Sequence, residues 1–256
     1  MSPRREPPAL RHFRRHAGAP PWVLGHRGAR REAPENTLPA FQLAVEQGAA
    51  GVELDVRLDG DGRVIVLHDR TLERVTSGAD SRDVEQLSGR ELDAVSLAGG
   101  ARVPALSEVL DWAVSGGHLL NVELKRDVSE RRALVWRVAK LLRAHPAARE
   151  RVLLSSFDPL FVRALAWLVP EVPSAWLVHA KQRVLSAAPG YRRLGAVGVH
   201  PELAIAADAR VRRWHAQGAL VNVWTVNEPA EARRLAAAGV DALISDVPGA
   251  IAKALD

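Results

Sequence analysis

The stretch Val52-Glu53-Leu54-Asp55-Val56 sets two carboxylates two residues apart inside a run of strand-forming apolar residues. Side chains alternate along a strand, so Glu53 and Asp55 share one face while Val52, Leu54 and Val56 share the other. Strands of a parallel sheet are covered on both faces and normally read apolar throughout. Two acids on one covered face repel each other and lose solvation unless a positive charge lies between them. A metal ion is the expected source of that charge.

Outward from this stretch, short apolar runs alternate with helical patterns. Strands are predicted at 22–25, 51–56, 119–124, 152–155, 175–178, 196–199, 220–225 and 242–245, most of them followed by an amphipathic helix. Asp59-Gly60-Asp61-Gly62 is a hairpin signal, with residues 64–67 returning antiparallel. Such alternation implies a parallel sheet with right-handed crossovers. The expected fold class is α/β: a closed (β/α)8 TIM barrel over residues 22–256, with a short polar, glycine-containing insertion or cap, 69–105, after the second strand.

Composition sets outer bounds. At 256 residues and 47% apolar, the chain can bury a large core, and one barrel domain accounts for it better than two small ones. No run approaches the ~20 uninterrupted apolar residues of a spanning helix, so no stable membrane insertion is expected. Cysteine is absent, which leaves only oxygen and imidazole as metal ligands and suits a cytoplasmic setting. The formal charge is +5, and five arginines (4, 5, 11, 14 and 15) against Glu6 supply +4 of it. The rest of the chain is close to neutral, so no nucleic-acid partner is expected. Residues 1–21 lack the apolar core of a secretory signal and read as a basic extension, disordered or surface-lying.

Asn121-Val122-Glu123-Leu124-Lys125 repeats the opening pattern, with Glu123 and Lys125 on one face. One lysine does not neutralise three converging acids. Glu53, Asp55 and Glu123 are therefore expected to hold one hard divalent cation, and an all-oxygen ligand set favours Mg2+ or Ca2+. Chemistry in such barrels sits at the carboxyl ends of the strands, where His26-Arg27, Glu53 with Asp55, Glu123 with Lys125, Ser155-Ser156 and Trp224 all fall. A two-residue turn at Gly60-Asp61 would set His68 opposite Glu53 to within a residue or so, and His26 arrives from the neighbouring first strand. Two imidazoles flanking one site suit a general acid and a general base. Arg27 beside the cation and Lys125 points to a phosphate, which an arginine fork grips bidentately. Pro34-Glu35-Asn36-Thr37 is a helix cap in which Glu35 and Asn36 are candidates for supporting the site. His12, His16, His118, His145, His179, His200 and His215 read as satisfied structural residues.

These residues, taken in order, resemble a known family. His26-Arg27-Gly28, Pro34-Glu35-Asn36-Thr37, Glu53-Leu54-Asp55-Val56, Asp61-Gly62 before Val66-Leu67-His68-Asp69, Asn121-Val122-Glu123-Leu124-Lys125, Ser155-Ser156-Phe157 and Trp224-Thr225-Val226-Asn227 are together similar to the glycerophosphodiester phosphodiesterases. The likeness runs from about residue 22 to 248. It implies a TIM barrel that hydrolyses glycerophosphodiesters, a small-molecule substrate, to sn-glycerol 3-phosphate and an alcohol. His26 and His68 become the acid/base pair, Glu53, Asp55 and Glu123 the metal ligands, Arg27 and Lys125 phosphate contacts, and Trp224 a substrate-facing wall. In the family picture a substrate hydroxyl attacks phosphorus and water then opens the cyclic phosphate. Gly51 and Leu58 depart from the family pattern, where Asp and Thr are frequent, and the insertion lacks aromatics; these bear on substrate range. Two alternatives follow: a lysophospholipase D whose apolar rim comes from residues 179–195 (Leu185, Tyr191, Leu194), and a catalytically silent phosphate-ester binder. The pair of histidines argues against the second.

Overall fold

Residues 6–182 and 190–256 are described in a computed structural model of the chain. Nine strands form one sheet: β1 Trp22–His26, β2 Gly51–Leu58, β3 Val64–Val66, β4 Leu119–Leu124, β5 Val152–Ser156, β6 Ser174–Val178, β7 Gly198–Pro201, β8 Leu220–Val223 and β9 Ala242–Ser245. Their order is β1-β9-β8-β7-β6-β5-β4-β2-β3, and β1 pairs again with β2, Leu24 opposite Gly51, so the sheet closes on itself. Pairings around the ring are parallel. Only β3 is antiparallel, laid along the end of β2. The helices are α1 Leu10–Phe13, α2 Leu38–Glu46, α3 Gly89–Asp93, α4 Leu106–Gly116, α5 Arg131–Ala144, α6 Pro159–Leu168, α7 Gly190–Arg193, α8 Asp208–Ala216, α9 Pro229–Ala238 and α10 Pro248–Leu255. This is the expected (β/α)8 barrel.

The alternation read from the sequence is what divides core from site. Val52, Leu54, Val56, Val122 and Leu124 face outward and pack with Leu106, Leu110, Leu134 and Val138 of the surrounding helices. Thr37 ends the first βα connection by accepting the Ala40 amide, which caps α2. Gly28, at φ +83°, lets that helix come close: a Cβ there would lie 2.6 Å from the Ala40 backbone.

Four expectations change in detail. The hairpin turn is not a two-residue one. Asp59 accepts the amides of Asp61 (3.1 Å) and Arg63 (2.8 Å), and Val56 pairs with Val66, which keeps the register within a residue of the expected one. β7 runs two residues later than predicted, which brings His200 into the strand and leaves it wholly buried. The insertion is no mere polar loop: Leu72, Val84, Leu87, Leu92, Val95, Leu97 and Val103 pack with Ile65 and Leu67 as a small core of their own. Its helix α3 begins at a capping box, Ser88 with Glu91.

The fourth concerns the basic extension. Residues 1–5 lie outside the described residues. Further on, the chain is neither disordered nor merely surface-lying, because Leu10 and Phe13 of α1 are buried against Leu24, Leu119, Leu153, Ala175, Leu220, Ala242 and Ile244. Leu119, Leu220 and Ala242 are the first residues of their strands. The helix thus closes the amino-terminal mouth of the barrel, and burial of two apolar side chains outweighs the solvation of the arginines around them.

Candidate active site

The register of the barrel assembles the acids. Glu53 lies opposite His26 on one side and Asn121 on the other, while Asp55 lies opposite Glu123. Glu53, Asp55 and Glu123 each offer a carboxylate oxygen within 4.8 Å of the others, and all three are buried. Lys125 donates to Asp55 Oδ1 at 3.3 Å and approaches Glu123 Oε1 at 2.9 Å. Arg27 Nε sits 3.0 Å from Asp55 Oδ2 without hydrogen-bond alignment, and its Nη1 donates to Glu35 at 2.9 Å. Three acids against two cations leave the cluster short of positive charge.

The electrostatics follow from that shortage. Burial, with Asp55 and Glu123 close by, pushes the Glu53 carboxyl well above the usual carboxylate range. Burial likewise lifts Glu123 to about 7, with Lys125 opposing and Asp55 adding to the rise. Burial would raise Asp55 as well, but Lys125, Arg27 and His68 hold it well below its ordinary value. A cation among these oxygens would keep all three ionised. The donor set is oxygen only, which fits a hard divalent ion.

Each histidine is held at Nδ1 by a carboxylate. His26 meets Asp246 Oδ1 at 2.6 Å, and its Nε2 lies 3.9 Å from Glu53 Oε2. Asn227 Nδ2 donates to the other oxygen of Asp246 at 2.9 Å. Burial would raise the Asp246 carboxyl, yet the hydrogen bonds from His26 and Asn227 pull it to about 2. His68 meets Asp69 Oδ1 at 2.6 Å, and Arg74 bonds the other oxygen of Asp69 while gripping Glu35 at 2.8 Å with each terminal nitrogen. Burial pushes His68 below its ordinary value, with Lys125 and Arg27 adding to that push and Asp55 and Asp69 opposing it. With Nδ1–H donated to a carboxylate, each ring presents Nε2 to the site.

Several supporting residues were not singled out from the sequence. Arg57, on the same face of β2 as Glu53 and Asp55, is almost wholly buried and donates to the His68 carbonyl at 2.7 Å and to Asp127 at 2.6 Å. It was the next residue in the alternation. Asp246 and Asn227 carried a weaker signal, as polar residues just past the ends of the last two strands. Asn36, by contrast, was a candidate, and it clamps Asp55 from both sides, donating to Oδ2 at 3.0 Å and accepting its amide at 3.3 Å. Arg27 and Asn36 both sit at positive φ, +59° and +58°, a conformation that costs energy in a residue with a Cβ and here bends the first loop over the acids.

The remaining predicted positions fall on the rim rather than in the cluster. Trp224 follows β8, packs edge-on to Phe157 at 5.5 Å and donates Nε1 to the His200 carbonyl at 2.8 Å. Of the stretch expected to form an apolar rim, Leu185 lies outside the described residues. Tyr191 is buried, with its hydroxyl donating to Gln217. His200 is not the satisfied residue expected, since neither ring nitrogen has a hydrogen-bond partner among the described residues, and burial pushes it down to about 3.

Comparison with known proteins identifies the family. The glycerophosphoryl diester phosphodiesterase family matches residues 26–250. A glycerophosphodiester phosphodiesterase of Caldanaerobacter subterraneus is 31% identical, the match covering 88% of this chain and 94% of the relative. Among solved structures, an Oleispira antarctica phosphodiesterase in complex with its product sn-glycerol-3-phosphate superposes with a TM-score of 0.81 at 29% identity, covering 92% of this chain and 97% of the other. A glycerophosphodiester phosphodiesterase from Agrobacterium tumefaciens gives 0.76 at 28% identity, covering 91% and 99%. A closed barrel, its acid cluster and its two carboxylate-held imidazoles thus come with a family match over most of the length. The chain belongs to the glycerophosphoryl diester phosphodiesterase family and is an enzyme of that activity.

Proposed function

We propose that the chain hydrolyses glycerophosphodiesters to sn-glycerol 3-phosphate and an alcohol in a metal-dependent reaction with His26 and His68 as the proton-transfer pair. The observation that carries this is the placement of two Nδ1-anchored imidazoles around one buried three-carboxylate cluster. Glu53, Asp55 and Glu123 would hold the divalent cation, Mg2+ or Ca2+. When bound, it supplies positive charge beside the phosphoryl oxygens.

The chain's own residues do the rest. Lys125 uses two of its three donors on Asp55 and Glu123, which leaves one for a phosphoryl oxygen. Arg27 faces Asp55 with Nε and donates Nη1 to Glu35, and it keeps its Nη2 edge outside those pairings. One imidazole takes the proton of the glycerol hydroxyl as its oxygen bonds to phosphorus, and the other gives a proton to the departing alkoxide. The resulting cyclic phosphate opens when water adds to phosphorus with the same two proton transfers reversed. Trp224 and Phe157 form the apolar wall on which the glycerol moiety rests.

Glycerophosphocholine with and without a chelator tests the reading. Chelation should abolish release of glycerol 3-phosphate, and Mg2+ or Ca2+ should restore it. Independently of turnover, the restoring ion should raise the melting temperature of the wild type and not of Asp55→Asn. Full activity in chelator would remove the metal from this account.

A further inference from the structure

The chain carries almost all of its net charge in the first 21 residues, but charge on the rest is unevenly placed. Some surface arginines are matched. Arg63 pairs with Asp59 and Asp93, Arg70 with Asp83, Arg82 with Asp80, Arg102 with Glu108, Arg149 with Glu171, and Arg234 with Asp208 and Glu231. Helices α5 and α6 differ in composition. Neither contains a single Asp or Glu. The exposed Arg132, Arg137, Lys140 and Arg143 of α5 and Arg163 of α6 have no carboxylate partner among the described residues.

The same face holds the most exposed large apolar side chains. Trp167 is 73% exposed, Leu160 69% and Trp136 49%. The spacing shows one surface rather than scatter. Arg132, Trp136, Lys140 and Arg143 recur every three or four residues along the outer side of α5, as do Leu160, Arg163 and Trp167 along α6. The two helices pack side by side. They are tied at the start by Arg131 to Asp158 and at the end by Arg143 to the Leu168 carbonyl. Arg137 and Lys140 lie 5.7 and 5.2 Å from the Trp136 ring, so cations and an aromatic are interleaved at one depth.

We propose that this α5–α6 face docks on the surface of an anionic lipid bilayer, with the basic side chains at the headgroups and Trp136, Leu160 and Trp167 seated at the interface. Charge complementarity selects the partner. Basic residues gain from an anionic leaflet, and tryptophan prefers the zone between headgroup and acyl chain. A second copy of the same face would bring like charges together around a two-fold axis, which disfavours self-association. A nucleic acid would satisfy the cations but give Leu160 and Trp167 nothing apolar to enter. Attachment here is peripheral, since among the described residues no helix is long and apolar enough to cross a membrane. Leu160 stands three residues past Phe157 of the catalytic rim, so the docked face begins beside the mouth of the barrel.

The test uses the full chain with vesicles of phosphatidylglycerol and phosphatidylcholine, and with phosphatidylcholine alone. Co-sedimentation should occur with the anionic vesicles at about 50 mM salt and fall away at about 500 mM, with a blue shift in tryptophan emission on binding. Arg137→Ala with Lys140→Ala should weaken partitioning by roughly 10-fold or more, and Leu160→Ala with Trp167→Ala should weaken it similarly and remove most of the blue shift. Hydrolysis of soluble glycerophosphocholine should be unchanged in both variants, which shows that they fold. No sedimentation with anionic vesicles at low salt would overturn the proposal. So would binding that neither variant alters, or binding of duplex DNA by wild type and the Leu160/Trp167 variant alike with vesicles left untouched.

Discussion

The two ends of the barrel use the same eight strands and could hardly differ more. At the carboxyl ends the interior holds Glu53, Asp55, Glu123, Lys125 and Arg27, ionisable groups that burial penalises and that mutual pairing, with Asn36 and Glu35, keeps in place. At the amino ends Leu24, Leu119, Leu153, Leu220 and Ala242 form an ordinary apolar layer, sealed by Leu10 and Phe13 of α1. One end carries chemistry that weakens the fold, and the other carries packing that offsets it. Substitutions should therefore separate cleanly, with activity lost from the first set and stability from the second.

The sharpest way to break that separation is at the imidazoles. His26→Ala and His68→Ala should each lower kcat by about 10²–10⁴-fold while leaving the melting temperature close to wild type. A large fall in stability in either would show that the catalytic end also holds the fold together. Next in size is the opposite case. Phe13→Ala should destabilise by roughly 3–5 kcal/mol in denaturant titrations yet leave kcat near wild type under native conditions.

His200, buried between the two ends, gives a comparable effect through pH. Its folded-state value of about 3 lies below the unfolded 6.5, so its contribution is fully present above pH 6.5 and is lost as pH falls toward 3. The drop should amount to about 4–5 kcal/mol across that range, and His200→Gln should remove this part of the acid-side slope. Smaller still are the residues behind the imidazoles. Asp246→Asn should cost on the order of 10–100-fold in kcat. Asp69→Asn should cost less, because His68 is about twice as exposed as His26 (31% against 15%) and water can take over the lost bond. Equal losses would mean that the two imidazoles are anchored equally, against the difference in their surroundings.

What could be read from the sequence was whatever repeats over short range. The period of two placed Glu53 with Asp55 and Glu123 with Lys125, and strand–helix alternation implied the closed barrel that turns those faces together. Arg57 belonged to the same alternation, but a fully buried arginine is not expected of a strand unless its partner is known. Asp127 lies 70 residues away, on the next ring strand's loop. Leu10 and Phe13 are three apart, a helical spacing, yet five arginines in the first 15 residues outweigh them in any composition-based reading. The pairing of His26 with Asp246 depends on β1 lying beside β9, which only ring closure supplies.

That last contact joins residue 26 to residue 246. During synthesis the first strand leaves the ribosome long before the segment that orients its imidazole exists, and the amino-terminal helix has nothing to plug until the later strands are seated. A nascent or truncated chain lacking the final strand would carry both histidines and all three acids and still have His26 unanchored. With His26 as a proton-transfer group, as proposed above, hydrolytic competence would be confined to finished molecules, and assay of a refolding sample would report the seating of its last strand.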